Sequence, residues 1–524
     1  AILHDDLVPP DMLARLLDAG VEVLQAPLWP LDTPGEPAPR STATLHDQLV
    51  SAGLADEDGM RSLLQTWDSI LTTTAPDLVV ADYAPAASMM ARGRIPLIVT
   101  GNGFTAPPGN MKRFPLLHRA APPKHSCPRT VFERAPSLGP WESAMTERIQ
   151  EFLRNRRREG LDTEPCLVVD LEVVRDNYQT FAKALPDSRV FYAVKANPAP
   201  EVLSMLASLG SCFDTATVAE IEMALTAGAT PDRISYGNTI KKERDIARAY
   251  ALGIRLFAVD CAAEVEKIAR AAPGARVFCR ILYDCAGAEW PLSRKFGCDP
   301  EMAVEVLDLA KRLGLEPCGI SFHVGSQQRN PLVWNTALAS AASIFREMAE
   351  RGITLRMVNM GGGFPTRYLK DVPVAQAYGQ AIFDALSKHF GNNIPETIIE
   401  PGRGMVGNAG VIKSEVVLIS KKADNDNVRW VYLDIGKFGG LAETMDESIR
   451  YAIRTPHDGA EMAPCVLAGP TCDSADVLYE KLPYPLPVTL EIGDKLLIEG
   501  TGAYTSTYSA VAFNGIPPLK TYHI

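Results

Sequence analysis

The sequence predicts an α/β protein built on a (β/α)₈ TIM-like barrel, with a β domain after the barrel and an extra α/β segment before it. Eight short apolar segments alternate with stretches of helical apolar spacing between Val190 and Arg403. Eight such alternations within about 210 residues fit a barrel at the small end of its usual size. After Arg403, strand-like segments follow with little helix between most of them, which is typical of a β domain. No GxGxxG motif opens the first helix, which argues against a doubly wound open sheet.

The order of the predicted strands separates the barrel from the β domain. The strand PCLVVDL at 165–171 lies one helix before the barrel and is expected to join the β domain instead. The barrel strands are expected at residues 190–197, 211–217, 233–240, 255–261, 276–283, 319–325, 356–363 and 396–403. The later β-domain strands are expected at 411–422, 428–436, 464–470 and 494–504.

Composition along the chain predicts five parts. The first part contains two buried strands, PDLVVADY and IPLIVTGNG, and is followed by a stretch rich in proline and basic residues. Such a stretch without periodicity is typical of a linker. The predicted parts are an α/β segment at 1–118, a linker at 119–144, a segment at 145–175 that contributes to the β domain, the barrel at 176–404 and the β domain at 405–524.

Charge and composition argue against several classes of protein. The chain of 524 residues has a net charge of −11, which argues against a general nucleic-acid binder. No apolar run approaches the roughly 18–20 residues that span a bilayer, and no signal peptide is visible. The ten cysteines form no CxxC pair and the eight histidines are scattered, so no metal site is expected. Dispersed cysteines in a large chain indicate a reduced, cytoplasmic protein.

Reactive side chains gather at the predicted carboxyl ends of the barrel strands, where barrel enzymes have their active sites. Lys195 ends the first strand. An arbitrary lysine at a strand end has usually reached solvent, but a buried one avoids the cost of its charge when it is held as a Schiff base. The strand-end residues are Lys195, Asp214, Asn238, Asp260, Arg280, His323, Gly361, Gly362, Gly363, Glu400 and Arg403.

These residue types fit pyridoxal 5′-phosphate (PLP). Three successive glycines allow backbone N–H groups to approach a phosphate, and Arg403 can add charge there. Glu400 can keep the pyridine nitrogen protonated, which makes the ring an electron sink. His323 is placed to lie against the ring. Each signal alone is weak, but together on successive strand ends of one barrel they predict a PLP site.

Several motifs resemble those of the PLP-dependent decarboxylases of the alanine-racemase-like fold type, the group IV decarboxylases. These motifs are FYAVKAN, SFHVGSQ, GGGFP, EPGR, GPTCDSADVLYE and GAYTSTYSAVAFNG. Within the group, residues 145–524 are most similar to bacterial ornithine/lysine decarboxylases. The resemblance implies a PLP enzyme that acts as a homodimer with shared active sites. It also implies decarboxylation of a basic amino acid, with L-ornithine to putrescine as the first choice and L-lysine to cadaverine as a second activity.

The resemblance further implies a role for each site residue. Lys195 binds the cofactor, His323 stacks on its ring and Glu400 meets the pyridinium. Cys472 reprotonates the reacting carbon after carbon dioxide leaves, and Asp473 binds the distal amine, both in the site of the partner subunit. The implied cofactor-binding residues are Lys195, Asp214, Glu220, Arg280, His323, Ser326, Gly362, Gly363, Glu400, Arg403 and Tyr504. The implied substrate-binding residues are Asp473, Asp446, Glu447 and Asp476.

Three questions stay open at this level. Animal enzymes of the family use a Tyr–Asp pair for the distal amine, whereas this chain has AETMDES at 442–448, so Asp446 and Glu447 are both candidates. The activity could instead be that of a diaminopimelate or carboxy-polyamine decarboxylase, or the chain could be a non-catalytic regulatory homologue. Residues 1–118 resemble the N-terminal half of GT-B glycosyltransferases without the nucleotide-sugar half, which implies a non-catalytic appendage.

Overall fold

The computed structural model describes residues 146–283, 288–290 and 295–524, together with four short strands nearer the N-terminus. The chain divides into two compact units, Ala1–Ser137 and Leu138–Ile524. In the first unit, β1 (Ile2–Leu3) pairs in parallel with β2 (Leu24–Gln25), and β3 (Val79–Asp82) with β4 (Leu97–Thr100). The last two confirm the predicted strands PDLVVADY and IPLIVTGNG. The predicted linker and the likeness to a glycosyltransferase lie outside the described residues.

The second unit contains the predicted barrel. Its eight strands are all parallel and close on themselves, because the last of them, β15 (Glu396–Ile399), pairs with the first, β6 (Ser188–Ala193). Every barrel strand predicted from the sequence is present. The barrel strands are β6 (Ser188–Ala193), β7 (Cys212–Thr215), β8 (Ile234–Tyr236), β9 (Leu256–Val259), β10 (Arg276–Arg280), β12 (Glu316–Ser321), β14 (Met357–Asn359) and β15 (Glu396–Ile399). A small antiparallel pair, β11 (Ala288–Trp290) with β13 (Ser326–Gln328), stands beside the barrel.

Helices alternate with these strands, and four of the ten α-helices described begin at a side-chain cap. Asp170 caps α2 (Leu171–Ala184) by accepting the N–H of Glu172, and Asp299 caps α7 (Pro300–Arg312), whose first residue is a proline. The helices are α1 (Glu147–Arg158), α2 (Leu171–Ala184), α3 (Pro200–Ser208), α4 (Val218–Thr226), α5 (Glu243–Ala251), α6 (Ala262–Ala271), α7 (Pro300–Arg312), α8 (Val333–Glu350), α9 (Ala375–Phe390) and α10 (Arg403–Val406).

The barrel interior is filled by side chains, so the barrel is a closed core and not a channel. Phe191, Phe278, Met357 and Ile398 belong to one cluster of buried side chains that draws on seven of the eight strands. Filling the interior in this way is usual for eight-stranded barrels. It leaves the carboxyl ends of the strands as the place for a ligand site.

The β domain takes strands from both ends of the second unit. β5 (Cys166–Val169) pairs with β16 (Gly410–Ser420) and with β22 (Lys520–His523), which confirms that the early strand joins this domain. Three strands of the domain were not predicted from the sequence: β18 (Ala452–Arg454), β20 (Val477–Pro487) and β22. The other strands of the domain are β17 (Arg429–Leu433), β19 (Met462–Ala468) and β21 (Lys495–Glu499).

Candidate active site

A cavity lies at the carboxyl ends of the barrel strands, where the sequence predicts the site. Eight of the eleven residues expected to bind the cofactor line it, and one of these eight, Tyr504, comes from the β domain. The other three residues expected to bind the cofactor do not line the cavity: Asp214, Glu220 and Arg280. The lining residues are Ala193, Lys195, His323, Ser326, Gly362, Gly363, Phe364, Glu400, Gly402, Arg403 and Tyr504.

Lys195 extends into this cavity from the turn that follows β6. The turn Val194–Ala196 ends the strand and leaves the lysine side chain about half exposed, at 53%. Its Nζ lies 3.9 Å from Oδ2 of Asp214. Desolvation of the ammonium lowers the pKa of Lys195, but the nearby Asp214, followed by Tyr504 and Glu400, outweighs it, so the net shift of the pKa is upward. The lysine is therefore held as a cation by the carboxylates of the site.

Asp214 is fixed behind Lys195 by close packing. Ser235 donates a hydrogen bond of 3.3 Å to its Oδ1. Burial raises the pKa of Asp214, while the neighbouring Lys195 opposes that change. A Cβ atom at Gly237 would lie 1.9 Å from Oδ1 of Asp214, so only glycine fits there. Gly237 is thus a site residue that sequence reasoning missed, although it directly follows β8.

Glu400 lines the cavity and follows β15 immediately in the chain. Nδ2 of Asn359 donates a hydrogen bond of 2.5 Å to Oε1 of Glu400. Oδ1 of Asn359 in turn accepts the N–H of Gly361 at 3.0 Å. Burial, and then the charge of Asp214, raise the pKa of Glu400 to about 7. A buried carboxyl that titrates near neutrality is suited to a cationic partner, such as a protonated ring nitrogen.

His323 presents a neutral imidazole. Its Nδ1 accepts the N–H of Gly325 at 3.0 Å, which assigns the ring proton of the neutral form to Nε2. Burial, followed by the positive charges of Arg280 and Lys195, lowers the pKa of His323 well below its usual range. An uncharged flat ring beside the cavity can lie against an aromatic cofactor without placing a further cation there.

Glycines shape the part of the cavity where a phosphate is expected. A Cβ atom at Gly362 would lie 2.7 Å from the carbonyl oxygen of Glu400 and 3.1 Å from Nε2 of His323. A Cβ at Gly402 would lie 3.0 Å from the hydroxyl of Tyr504. A side chain at Gly362 or Gly402 would therefore press against the protein atoms that surround the cavity. Within the described part of the chain, the N–H groups of Gly362 and Gly363 have no hydrogen-bond acceptor, which suits a phosphate cradle.

Arg403 borders the same space and is held by a partner that the sequence did not identify. Its NH1 and NH2 groups donate to the two carboxylate oxygens of Glu443 at 2.6 and 2.5 Å. NH1 also donates to the hydroxyl of Tyr368 at 2.7 Å. Nε and NH2 face the hydroxyl of Ser326 at 3.4 and 3.3 Å. The Tyr504 ring lies 5.0 Å from the guanidinium carbon.

Two expected cofactor residues have a local structural role as well. Glu220 accepts the N–H of Ala216 at 2.6 Å, and its own N–H is accepted by the Thr217 hydroxyl that caps α4. Arg280 ends β10, and its guanidinium carbon lies 5.3 Å from the Phe296 ring. Its charge reaches the site, because it lowers the pKa of His323.

Cys472 and Asp473 are exposed and lie outside the cavity lining. Asn514 fixes the cysteine at two atoms: its Oδ1 accepts the Cys472 N–H at 3.0 Å, and its Nδ2 donates to Sγ at 3.2 Å. Asp476 is buried and accepts from Lys437 N at 2.7 Å and from the hydroxyl of Thr471 at 2.7 Å. Asp476 therefore shapes the loop that presents Cys472 and Asp473.

The two candidates at 446 and 447 have different surroundings. Glu447 accepts backbone N–H groups of Lys481 and Leu482 and pairs with Arg450 at 3.0 Å. Asp446 is 83% exposed and lies 3.4 Å from Nζ of Lys481. Groups of the same chain therefore hold the carboxylate of Glu447, whereas that of Asp446 has, among the described residues, a single long contact, with Lys481, and is otherwise exposed. Both have positive φ angles, 52° and 59°, so the segment is sharply bent here.

Two kinds of feature are not found among the described residues. None of their helices combines the length and apolar character needed to cross a bilayer. No group of three or more His, Cys, Asp or Glu side chains is arranged for a metal ion in that part of the chain.

Comparison with known proteins places this site in a known class. Residues 171–407 match the family described as pyridoxal-dependent decarboxylase, pyridoxal binding domain. The chain is 37% identical over 353 residues to a lysine/ornithine decarboxylase of Selenomonas ruminantium, covering 67% of this chain and 87% of the relative. It is 33% identical over 378 residues to an ornithine decarboxylase of Schizosaccharomyces pombe, covering 70% and 85%.

A solved structure shows the same architecture. The lysine/ornithine decarboxylase of Vibrio vulnificus, complexed with putrescine, superimposes with a TM-score of 0.65 at 31% identity. The match covers 72% of this chain and 99% of the other. Barrel and β domain are thus shared over the whole length of that enzyme.

Proposed function

The chain belongs to the pyridoxal-dependent decarboxylases, and on this basis we propose that it converts L-ornithine to putrescine, with L-lysine to cadaverine as a second activity. It is a PLP-dependent decarboxylase of basic amino acids. The proposal adds the choice of substrate, the roles of individual residues and the assembly.

The residues of the cavity fit the cofactor. When bound, PLP supplies an aromatic ring that accepts the electron pair released as carbon dioxide leaves the substrate. Lys195 would hold it covalently through Nζ, and Glu400 would bind its ring nitrogen. Gly362, Gly363 and Ser326 would hold the phosphate, because all three line the cavity and the two glycine N–H groups have no backbone acceptor among the described residues.

The proton that replaces the carboxylate is assigned to Cys472. Sγ of Cys472 would deliver it to the α-carbon of the substrate, and Asn514 would hold the thiol in place through its Nδ2. Cys472 does not line the cavity of its own chain. We therefore propose that it serves the cavity of a partner subunit.

Exposed apolar side chains support a homodimer with shared sites. The segment that begins at Tyr504, in the cavity wall, continues to Asn514, beside Cys472. Along it, Val511 is 85% and Tyr508 53% exposed. Large apolar side chains exposed beside a functional loop are typical of an interface. A second copy of the chain would cover them and bring Cys472 to the cavity.

The distal ammonium of the substrate needs carboxylate partners, since an unpaired buried charge costs several kcal/mol. Asp473 and Asp446 are exposed carboxylates that can meet it, and Glu447 is already engaged. Diaminopimelate carries a second carboxylate at its far end, which these acids would repel. The longer, planar guanidinium of arginine would need a deeper, fork-shaped partner.

The observation that carries the proposal is the meeting of Lys195, His323, Glu400 and the glycine cradle in one cavity. The test is a carbon dioxide release assay with purified protein and PLP, using ornithine, lysine, arginine and diaminopimelate. We expect release from ornithine and lysine with formation of the matching diamines. Absence of turnover on the whole panel, with PLP bound, would favour a non-catalytic regulatory protein.

A further inference from the structure

Glu443 is a buried acid beside the phosphate end of the cavity that no step of the proposed function uses. Its side chain is 7% exposed, and that of its partner Arg403 is 3% exposed. It precedes Asp446 by three residues, in a short turn of the β domain, whereas Arg403 follows the last barrel strand. The ion pair therefore joins the two domains at the cofactor site.

The hydrogen bonds of Arg403 leave no freedom of orientation. A guanidinium has five N–H groups. Glu443 and Tyr368 accept hydrogen bonds from three of these groups at the short distances of 2.5–2.7 Å. The two hydrogen bonds to Glu443 join opposite charges, which strengthens them. The other two, on the Nε/NH2 edge, meet only the Ser326 hydroxyl, at the long distances of 3.4 and 3.3 Å. One edge of the guanidinium is thus firmly bound and another is weakly bound.

The weakly bound edge contacts a residue that lines the cavity, whereas the acceptors of the firmly bound edge do not line it. Ser326 and Arg403 both line the cavity with Gly362 and Gly363, whereas Glu443 does not line it. A phosphate oxygen can replace the long contacts to Ser326 without disturbing the short ones to Glu443. The carboxylate of Glu443 sets the orientation of this edge, because a buried guanidinium without a carboxylate partner would turn to any available acceptor.

We propose that Glu443 is a positioning residue for the cofactor phosphate: by binding one edge of the Arg403 guanidinium, it directs the Nε/NH2 edge, with Ser326, at the phosphate. This inference rests on the proposed function. The charge of Glu443 also balances Arg403 before the cofactor binds, so the phosphate site is assembled in the cofactor-free protein. Glu443 acts through Arg403 and has no contact with the phosphate.

The test compares the affinity of the cofactor-free protein for PLP and for pyridoxal, which lacks the phosphate. The wild type should prefer PLP. In Glu443→Gln the side chain accepts only one N–H and turns an amide NH₂ toward the other. We expect the preference for PLP to fall at least about tenfold, with pyridoxal affinity within about threefold of wild type, by equilibrium absorbance titration. Glu443→Asp keeps the charge but shortens the fork, and should lower the preference by about threefold or more.

A matched control separates positioning from stability. Asp162 pairs with the buried Lys413 at 2.8 Å, away from the cavity. Asp162→Asn should lower the unfolding temperature and leave the preference for PLP unchanged. If Glu443→Gln does not fold, Glu443→Asp decides. An unchanged preference in the folded variants, or an equal loss of affinity for PLP and pyridoxal, would overturn the inference. A wild type without preference for PLP would instead contradict the proposed function.

Discussion

Asn359 joins Glu400 to the glycine turn. Its Nδ2 donates to Oε1 of Glu400 at 2.5 Å, while its Oδ1 accepts the N–H of Gly361 at 3.0 Å. One amide thus fixes the acid that would meet the ring nitrogen and the turn that would hold the phosphate. The two ends of the cofactor site are therefore set by a single side chain at the end of β14.

The raised pKa of Glu400 predicts a pH effect on the cofactor-free protein. Its pKa is about 7 in the fold against 4.5 when exposed, so the fold favours the protonated acid. This contribution to stability is complete below pH 4.5 and is lost as the pH rises through 7. We expect Glu400→Gln to be more stable than wild type at pH 8 by roughly 3 kcal/mol, and about equally stable at pH 4.5.

Denaturant unfolding of both cofactor-free proteins at several pH values measures this difference. Glutamine keeps the acceptor for Asn359, so packing should be retained. Asp214→Asn is a useful companion variant, because it removes a charge that raises the pKa of Glu400. In the Asp214→Asn background, the effect of Glu400→Gln on stability at pH 8 should therefore be smaller. A stability difference that does not change between pH 4.5 and 8 would contradict the assignment.

Lys195 is predicted to be the point of cofactor attachment. Wild-type protein with PLP should absorb at about 410–430 nm, as expected for PLP bound to a lysine. Lys195→Ala should lose this band and nearly all turnover, because no other lysine lines the cavity among the described residues. Lys241→Ala is not a suitable control, since Lys241 is a buried structural cation. Lys311→Ala, at an exposed position of α7 outside the cavity lining, provides one. An unchanged spectrum in Lys195→Ala would remove Lys195 from the proposed site.

The proposed homodimer predicts complementation between two inactive proteins. Lys195→Ala and Cys472→Ala should each be nearly inactive alone. After subunit exchange, one of the two sites in a hybrid dimer has both residues intact, so about a quarter of wild-type activity should return at full random mixing. Exchange must be confirmed independently, for instance with differently tagged chains. Proven exchange without recovered activity would mean that each site is built from one chain.

The regular parts of the fold could be predicted because their residues repeat simple patterns. All eight barrel strands are short apolar runs, and the buried helix faces repeat every three or four residues. Strand β20 was missed because it contains Pro483, Pro485 and Pro487, which argue against a strand. It lies at the end of the strand order, where prolines are tolerated because one side of the strand needs no hydrogen bonds.

The site could be predicted only as far as its residues end strands or belong to motifs. Lys195, His323 and Glu400 follow barrel strands directly, and the topology brings them together. Glu443 and Asn514 are on irregular segments of the β domain, far from their partners in the chain. Their roles depend on tertiary contacts that no local pattern reports. The stretches AETMDES and AVAFNG contain the two residues, but nothing in these stretches distinguishes either residue from its neighbours.

The compact unit Leu138–Ile524 predicts that the enzyme part folds alone. A protein that begins at Met145 should be folded and decarboxylate at a rate similar to that of the full chain. Thermal unfolding and carbon dioxide release from the two proteins make the comparison. Loss of the folded state on truncation would show that the preceding residues are needed to cover the barrel or the β domain.

The last prediction concerns the acid that selects the substrate. Glu447 is bound to backbone N–H groups and to Arg450, whereas Asp446 is 83% exposed. We therefore expect Asp446→Asn to raise KM for ornithine about tenfold or more with little change in unfolding temperature, because it removes one charge from a substrate ammonium that needs pairing. Glu447→Gln should instead lower the unfolding temperature.

Asp473→Ala should impair ornithine and lysine turnover far more than PLP affinity, since Asp473 lies outside the cofactor cavity. Wild-type turnover of diaminopimelate faster than of ornithine and lysine would refute the assignment, because acids at the distal end cannot favour a second carboxylate.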